Sequence, residues 1–279
     1  MTATTSLHPT PRTPRPAPQP FGEHLRHWRQ HRRLSQLDLA LHAAISTRHL
    51  SFVETGRASP SREMVLRLSE RLDIPLRERN TLLVAAGYAP MYRERGLDDP
   101  ALVPARQAVE LILKSHEPYP AIAIDRHWNL IAANSVVPHL LAGVKDPALL
   151  QPPMNVLRLS LHPQGLASQI ANLAQWREHL FERVRHQIAA SADPALVALL
   201  EELHTYPMPE GADLQLEGEH PGVVMPFQFR TPQGVLSFIS TITIFGNPVD
   251  VTLQELAMET FFPADDFTRQ ALMALAAQG

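Results

Sequence analysis

The chain of 279 residues is 44% hydrophobic and 19% charged, enough for two ordinary domains with real cores and too apolar for global disorder. It has no cysteine, which excludes disulfides, thiolate zinc sites, iron–sulfur clusters and a cysteine nucleophile. The net charge of −3 is unevenly spread: residues 1–95 carry 15 arginines, no lysine and 8 acids, whereas 96–279 carry 10 basic and 20 acidic residues. A basic module followed by an acidic one suggests two jobs, the first of them facing phosphate. No apolar run reaches the ~18 residues of a membrane span, and no signal-peptide core opens the chain. A cytoplasmic protein with no membrane partner is expected.

Residues 1–20 hold six prolines with Arg12 and Arg15 and no acid, the composition of a disordered Pro-rich arm. Residues 21–90 then read as an all-α domain of five short helices. Phe21, Leu25 and Trp28 fall on one face of the first. Ser35 caps the second, with Asp38 in its first turn and Leu39, Ala40 and Ala43 inward. Ala44-Ile45 is a tight connection. Ser46 caps the third, Leu50 and Val53 point inward, and Gly56 ends it where a positive φ is wanted. Ser59-Pro60 opens the fourth, with Pro60 at its first position, and Val65, Leu68 and Leu72 line it. Residues 76–86 make the fifth. The short turn between the second and third makes this a helix-turn-helix arrangement.

Residues 91–104 read as a linker. A helix over 105–115 follows, then strands at 119–125 and 128–133, joined at Arg126-His127 as a hairpin. Residues 134–141 read as helical. The stretch 168–190 is a long amphipathic helix, with Ile170, Leu173, Trp176, Leu180, Val184 and Ile188 at helical spacing. Asp193-Pro194 opens another helix, to about 204. After a loop over 206–222, strands at 223–230, 235–245 and 249–260 form an antiparallel meander, turned at Gly234 and Gly246-Asn247-Pro248. Asp265-Asp266 starts a last helix. Residues 105–279 are therefore expected to form an α+β domain: an antiparallel sheet of about five strands with helices on one face.

Leu34-Ser35-Gln36 with Leu39-Ala40, Glu54-Thr55-Gly56-Arg57 and Pro60-Ser61 carry a resemblance. Residues 21–74 resemble the xenobiotic-response-element type of helix-turn-helix found in phage repressors. The resemblance implies that Gln36 contacts a phosphate and braces the recognition helix. It places Thr47, Arg48, Ser51 and Phe52 on the exposed side of that helix. An N-terminal helix end entering the major groove brings such side chains to base edges, and an arginine there suits a guanine. Arg57 is placed for phosphate, and Arg62 matches a position that probes the minor groove. Arg29 and Glu54 match a structural ion pair of the phage repressors. Phe52 departs from the polar residue common at its position, so base specificity does not carry over.

A second set runs further. It comprises residues 46–57, Asn80, Ala85-Ala86-Gly87-Tyr88-Ala89-Pro90, His162-Pro163-Gln164-Gly165, Asn172, Trp176, Glu201-Glu202-Leu203 with Tyr206-Pro207, and Phe261-Phe262-Pro263-Ala264-Asp265. Over nearly the whole chain after the arm, this resembles the MmyB-like transcription regulators. The resemblance implies a PAS-like ligand-binding domain with a hydrophobic pocket, for which fatty acids are the family precedent. No cofactor is required. Candidate lining residues are Ile122, Ile124, Trp128, Trp176, Leu180, Phe227, Phe229, Phe238 and Ile242, although the same pattern also describes an ordinary core. An acidic ligand calls for an anchor among Arg126, His127, His162 and Arg177.

Other constellations fail. His24, His27 and His31 share one stretch of the first helix, but Arg26, Arg29 and Arg32 beside them repel a cation, so no metal site is expected. Asp265-Asp266 reads as helix-capping charge. There is no Gly-rich phosphate loop, no HExxH and no GxSxG, so no catalytic residue is assigned and no enzyme is expected. The expected protein is a transcription regulator that binds an inverted-repeat operator in double-stranded DNA as a homodimer. A hydrophobic, fatty-acid-like small molecule is expected to modulate its operator affinity. Three alternatives stay open: a sensor with a chromophore or haem, an enzyme domain tethered to DNA, and an interaction module without operator specificity.

Overall fold

A computed structural model describes residues 20–208, 225–246 and 250–276. The described residues through Leu72, with 79–90, make one compact unit; 73–78 and those from 91 onward make a second. The expected arm, most of the expected loop at 206–222 and most of the turn at 246–248 lie outside the described residues.

Local capping chemistry sets out the first unit. Its helices are α1 (Phe21–His31), α2 (Gln36–His42), α3 (Thr47–Glu54) and α4 (Arg62–Arg71), followed by α5 (Leu76–Ala85). Before α2, Asp38 N donates to Ser35 Oγ at 3.1 Å and Ser35 N donates to Asp38 Oδ2 at 3.0 Å, a reciprocal cap. Before α3, Ser46 Oγ accepts from His49 N at 3.1 Å. α4 departs from expectation: Ser61 caps it, accepting from Met64 N at 3.2 Å, and Pro60 lies ahead of the helix. The serine hydroxyl satisfies an otherwise orphaned N–H, which a proline start does not do. Leu25, Leu39 and Leu50 are fully buried beside Trp28, Val53, Val65 and Leu68. Each such leucine contributes about 1.5–3 kcal/mol.

The second unit is a sheet with helices on both faces. α6 (Val103–Ser115) leads into β1 (Ala121–Ile124) and β2 (Leu130–Ala133). Next come α7 (Val137–Leu140), α8 (Val156–Leu161), α9 (Leu173–Ser191) and α10 (Pro194–His204). β3 (Phe227–Thr231), β4 (Gly234–Ile244), α11 (Val251–Gln254), β5 (Ala257–Pro263) and α12 (Asp266–Ala276) complete it. All neighbouring strands are antiparallel, in the order β2-β1-β5-β4-β3. Side chains alternate across the sheet. Ala121, Ala123 and Met258 face Val109 and Leu113 of α6. Ile122 and Ile124 face the opposite way, toward Leu157 of α8 and Trp176, Leu180 and Val184 of α9. Helices on one face were expected; the small Ala121 and Ala123 let α6 cover the other.

Several boundaries also differ, each for a local reason. Trp128 lies in the β1–β2 turn rather than in a strand: Asp125 Oδ1 accepts from His127 N at 2.8 Å and Asn129 N at 2.9 Å. Trp128 takes a φ of 67° there and buries its indole. α9 starts at Leu173 and not at 168, because Ala171 N donates to Gln228 O at 2.8 Å, bonding the preceding segment to β3. Asn172 fastens the join, its Nδ2 donating to Pro226 O at 2.8 Å and its Oδ1 accepting from Gln228 N at 3.2 Å. Residues expected to begin the last strand form α11, capped by Asp250 Oδ1 on Thr252 N at 3.0 Å. The expected linker 91–104 packs within the second unit: Val251 N donates to Arg93 O at 2.8 Å, and Arg95 lies 3.3 Å from the buried Asp250. No described helix is long and apolar enough to cross a membrane.

Gly22 marks the closest approach of α1 to α3: a Cβ built there would lie 2.4 Å from Glu54 O and 2.8 Å from Val53 O. Both neighbours are backbone, so neither can swing aside. Gly22→Ala is therefore expected to destabilise the first unit by about 1–3 kcal/mol. Native-state hydrogen exchange of the α1 and α3 amides, measured in urea, checks this for the first unit alone; unchanged protection would disprove the close contact.

Candidate functional site

α3 presents one face and buries the other. Leu50 and Val53 point into the core, Arg48 is exposed, and Thr47, Ser51 and Phe52 are half-buried. The Arg48 guanidinium lies 5.3 Å from the Phe52 ring centre and that of Arg57 lies 6.0 Å from it. A cation over an aromatic face is favourable by about 0.5–1 kcal/mol at an exposed site. Phe52 thus draws two exposed cations together at one end of the surface. Arg62 is exposed in the first turn of α4.

Behind this surface Glu54 is 3% exposed. Arg29 Nε donates to its Oε1 at 2.6 Å and Arg29 Nη2 to its Oε2 at 3.0 Å. Gln36 Nε2 donates to Oε2 at 2.8 Å. The Gln36 amide therefore joins the start of α2 to the end of α3. Burial opposes ionisation of Glu54, but the Arg29 and Gln36 hydrogen bonds outweigh it and hold the carboxyl below its ordinary value.

The second site is a cavity between the sheet and α7, α8 and α9, within the second unit. The cavity measures about 120 Å³, inside about 840 Å³ of empty space that includes open solvent. Of the residues expected to line it, Ile122, Trp128, Trp176, Leu180, Phe227, Phe229 and Phe238 do so. Two do not. Ile124 is buried in the adjoining core without reaching the cavity. Ile242 is 50% exposed. It pairs with Glu259 and shares the inner face, but it lies four residues, or about 13 Å, beyond Phe238 along β4. There β4 has run past its pairing with β3, which ends at Phe238.

Sequence reasoning missed the part of the wall made by Leu140, Leu141, Met154, Val156 and Leu159. Their elements are too short to show a period; Asn155, whose Oδ1 accepts from Leu157 N and Arg158 N, was the available signal. Glu259 was also missed. It lines the cavity at 3% exposure, and Arg183 donates to its two oxygens at 2.9 and 3.3 Å. The Arg183 guanidinium also lies 4.5 Å from the Trp128 ring centre. The Trp128 indole N–H donates to Gln187 Oε1 at 2.6 Å, and that of Trp176 to Ser160 Oγ at 3.3 Å. His179 stacks on Trp176 at 5.4 Å. Burial first, and then the Arg183 charge, hold its imidazole below its ordinary value, so the ring is uncharged at neutral pH.

The groups expected to anchor an acidic ligand lie elsewhere. Arg126 and His127 pair with Asp193, at 3.6 and 2.9 Å. Arg177 donates to Tyr206 O at 2.9 Å and to His204 O at 3.1 Å. The His162 ring packs on Tyr206 at 5.0 Å. None of the four lines the cavity.

One prediction concerns Glu54. Its folded value lies below the ordinary 4.5, so its pairing stabilises the first unit fully above pH 4.5 and is lost as pH falls through the lower folded value. Glu54→Ala is expected to cost about 3–5 kcal/mol by stranding Arg29, and to flatten the acid-side fall of stability. Unfolding midpoints measured between neutral and acid pH check both; an unflattened profile would place the titrating group elsewhere.

Two family models match the chain. The MmyB-like transcription regulator ligand binding domain matches residues 105–275, and a helix-turn-helix domain matches residues 20–82. No curated protein matches it. The two matched regions hold, respectively, the apolar cavity and the exposed Arg48 of α3. The chain belongs to the MmyB-like transcription regulators and is a DNA-binding regulator with a ligand-binding domain.

Proposed function

We propose that this protein binds an inverted-repeat operator as a homodimer, and that a long-chain hydrophobic molecule of fatty-acid-like build in the cavity sets its operator affinity. The observation that carries this reading is the apolar cavity itself, held in the same chain as a recognition helix with exposed Arg48. A single such helix reads only a few base pairs, so a second copy supplies the other half-site. The sheet order supports reading the second unit as PAS-like. On this reading the protein acts in the cytoplasm, needs no cofactor and turns over no substrate. The ligand shifts DNA affinity only through a difference in its own affinity for two states of the protein.

The DNA side is tested first on an operator selected from a random duplex pool. Arg48→Ala is expected to weaken operator binding about 10–100-fold, or about 1–3 kcal/mol, with a much smaller loss on competitor DNA. An equal loss on both would remove Arg48 from base reading. Arg57→Ala is expected to weaken binding to every duplex and to lower the salt slope by about 0.9. An unchanged slope would remove Arg57 from the phosphate contacts.

The ligand side is tested by adding 1-decanol or decanoate to the protein on that operator. At least one is expected to change operator affinity about fivefold or more. No change with either would sink the ligand-gated reading while leaving DNA binding intact.

A further inference from the structure

We propose that the cavity selects an uncharged amphiphile: a long apolar body with a head group, such as an alcohol or a primary amide, that donates a hydrogen bond to Glu259. This rests on the reading of the cavity as the ligand site and names the chemistry of its ligand.

The polar side chains facing the cavity are few. Apart from the two indoles, whose N–H groups are already bonded to Gln187 and Ser160, the polar side chains of the lining among the described residues are Ser160 and Glu259. Glu259 is an acceptor, and each of its oxygens has capacity beyond the single bond from Arg183. Arg183 is neutralised by Glu259 and held over Trp128. A ligand carboxylate would therefore sit beside a like charge in an apolar wall, with no free cation among the described lining residues to meet it. An ammonium head would leave a net positive charge in the same wall, since Arg183 already balances Glu259.

The remaining cations after residue 104 do not fill the gap, because none of them lines the cavity. Arg126, Arg158, Arg185 and Arg269 are paired with acids, and Arg177 and Arg230 donate to backbone carbonyls. Lys114 and Lys145 are exposed, and Arg106 donates to Leu97 O. Residues 209–224, 247–249 and 277–279 contain no arginine or lysine, and 209–224 adds four acids. His179, the histidine stacked on the lining Trp176, is uncharged at neutral pH. Apolar walls with one fixed acceptor thus favour a neutral donor over either ion.

The test is a binding series on the full chain with 1-decanol, decanoate and decylammonium at about pH 8, where the acid is ionised and the amine protonated. Tryptophan emission reads occupancy at Trp128 and Trp176, and native mass spectrometry counts the bound molecules. Decanol is expected to bind at least about tenfold more tightly than either ion. Decanoate binding as well as decanol would mean that the head stays in solvent or meets a cation, and would overturn the proposal while the cavity remains a ligand site. Binding by none of the three would overturn both. Glu259→Gln leaves Arg183 uncompensated, so decanoate is expected to gain about tenfold or more on decanol. Unchanged selectivity in a folded variant would overturn the role of Glu259; if the variant does not fold, the comparison on the unmodified chain decides alone.

Discussion

Glu54 and Glu259 are each 3% exposed, and each accepts hydrogen bonds on both oxygens from a single arginine. A carboxylate taken out of water loses its hydration, and only a fixed, well-aligned cation restores most of that loss. Arginine meets the requirement because its planar fork matches both carboxylate oxygens at once. Both units are organised around this demand. In the first, Glu54 sits at the end of α3, so Arg29 and Gln36 must come to it, and with them α1 and the start of α2. In the second, Glu259 sits in the middle of the sheet, and Arg183 reaches it from α9.

The same pairing has different uses in the two places. Around Glu54 the packing is close: Gly22 lies against the α3 backbone, and Arg29 and Gln36 place three N–H donors on one carboxylate. That packing makes α3 a firm support, so the outward side chains Thr47, Arg48, Ser51 and Phe52 hold their relative positions. Around Glu259 space is left, and the pair forms one polar spot in an apolar wall. There the pair governs what the wall accepts more than how the wall stands. The Arg183 guanidinium also lies over the Trp128 ring, 4.5 Å from its centre.

The first unit was largely legible because its signals are local. Ser35 with Asp38, and Ser46 with His49 N, lie within three residues of what they bond. Where Pro60 and Ser61 offered competing starts for α4, the residue with a side-chain acceptor prevailed. The second unit was less legible because its boundaries are drawn by distant partners. Ile170 continues the helical spacing of α9, yet the segment it belongs to bonds to Gln228, more than fifty residues on. Ile242 has the parity of a cavity residue, but parity does not say how far a neighbouring strand extends. Trp128 was a different kind of failure: the Asp125 carboxylate that closes its turn is a local signal, and the surrounding apolar residues masked it. Glu259 resembled any polar residue on a half-exposed strand until Arg183, 76 residues away, was seen beside it.

The join made by Asn172 bears on how the cavity can change shape. One side chain ties the first turn of α9 to the edge strand β3, so Trp176 and Phe227 are mounted on parts that are fastened together. A guest that is too broad cannot part that helix from that strand without breaking two hydrogen bonds to one amide. Tolerance for girth should therefore be narrow along this wall. The segment before α8 is tied to the opposite edge in the same way: Leu130 N of β2 donates to Met154 O at 2.7 Å, and Asn155 Nδ2 donates to His127 O at 2.8 Å. The chamber thus gauges the thickness of a guest at both edges of the sheet.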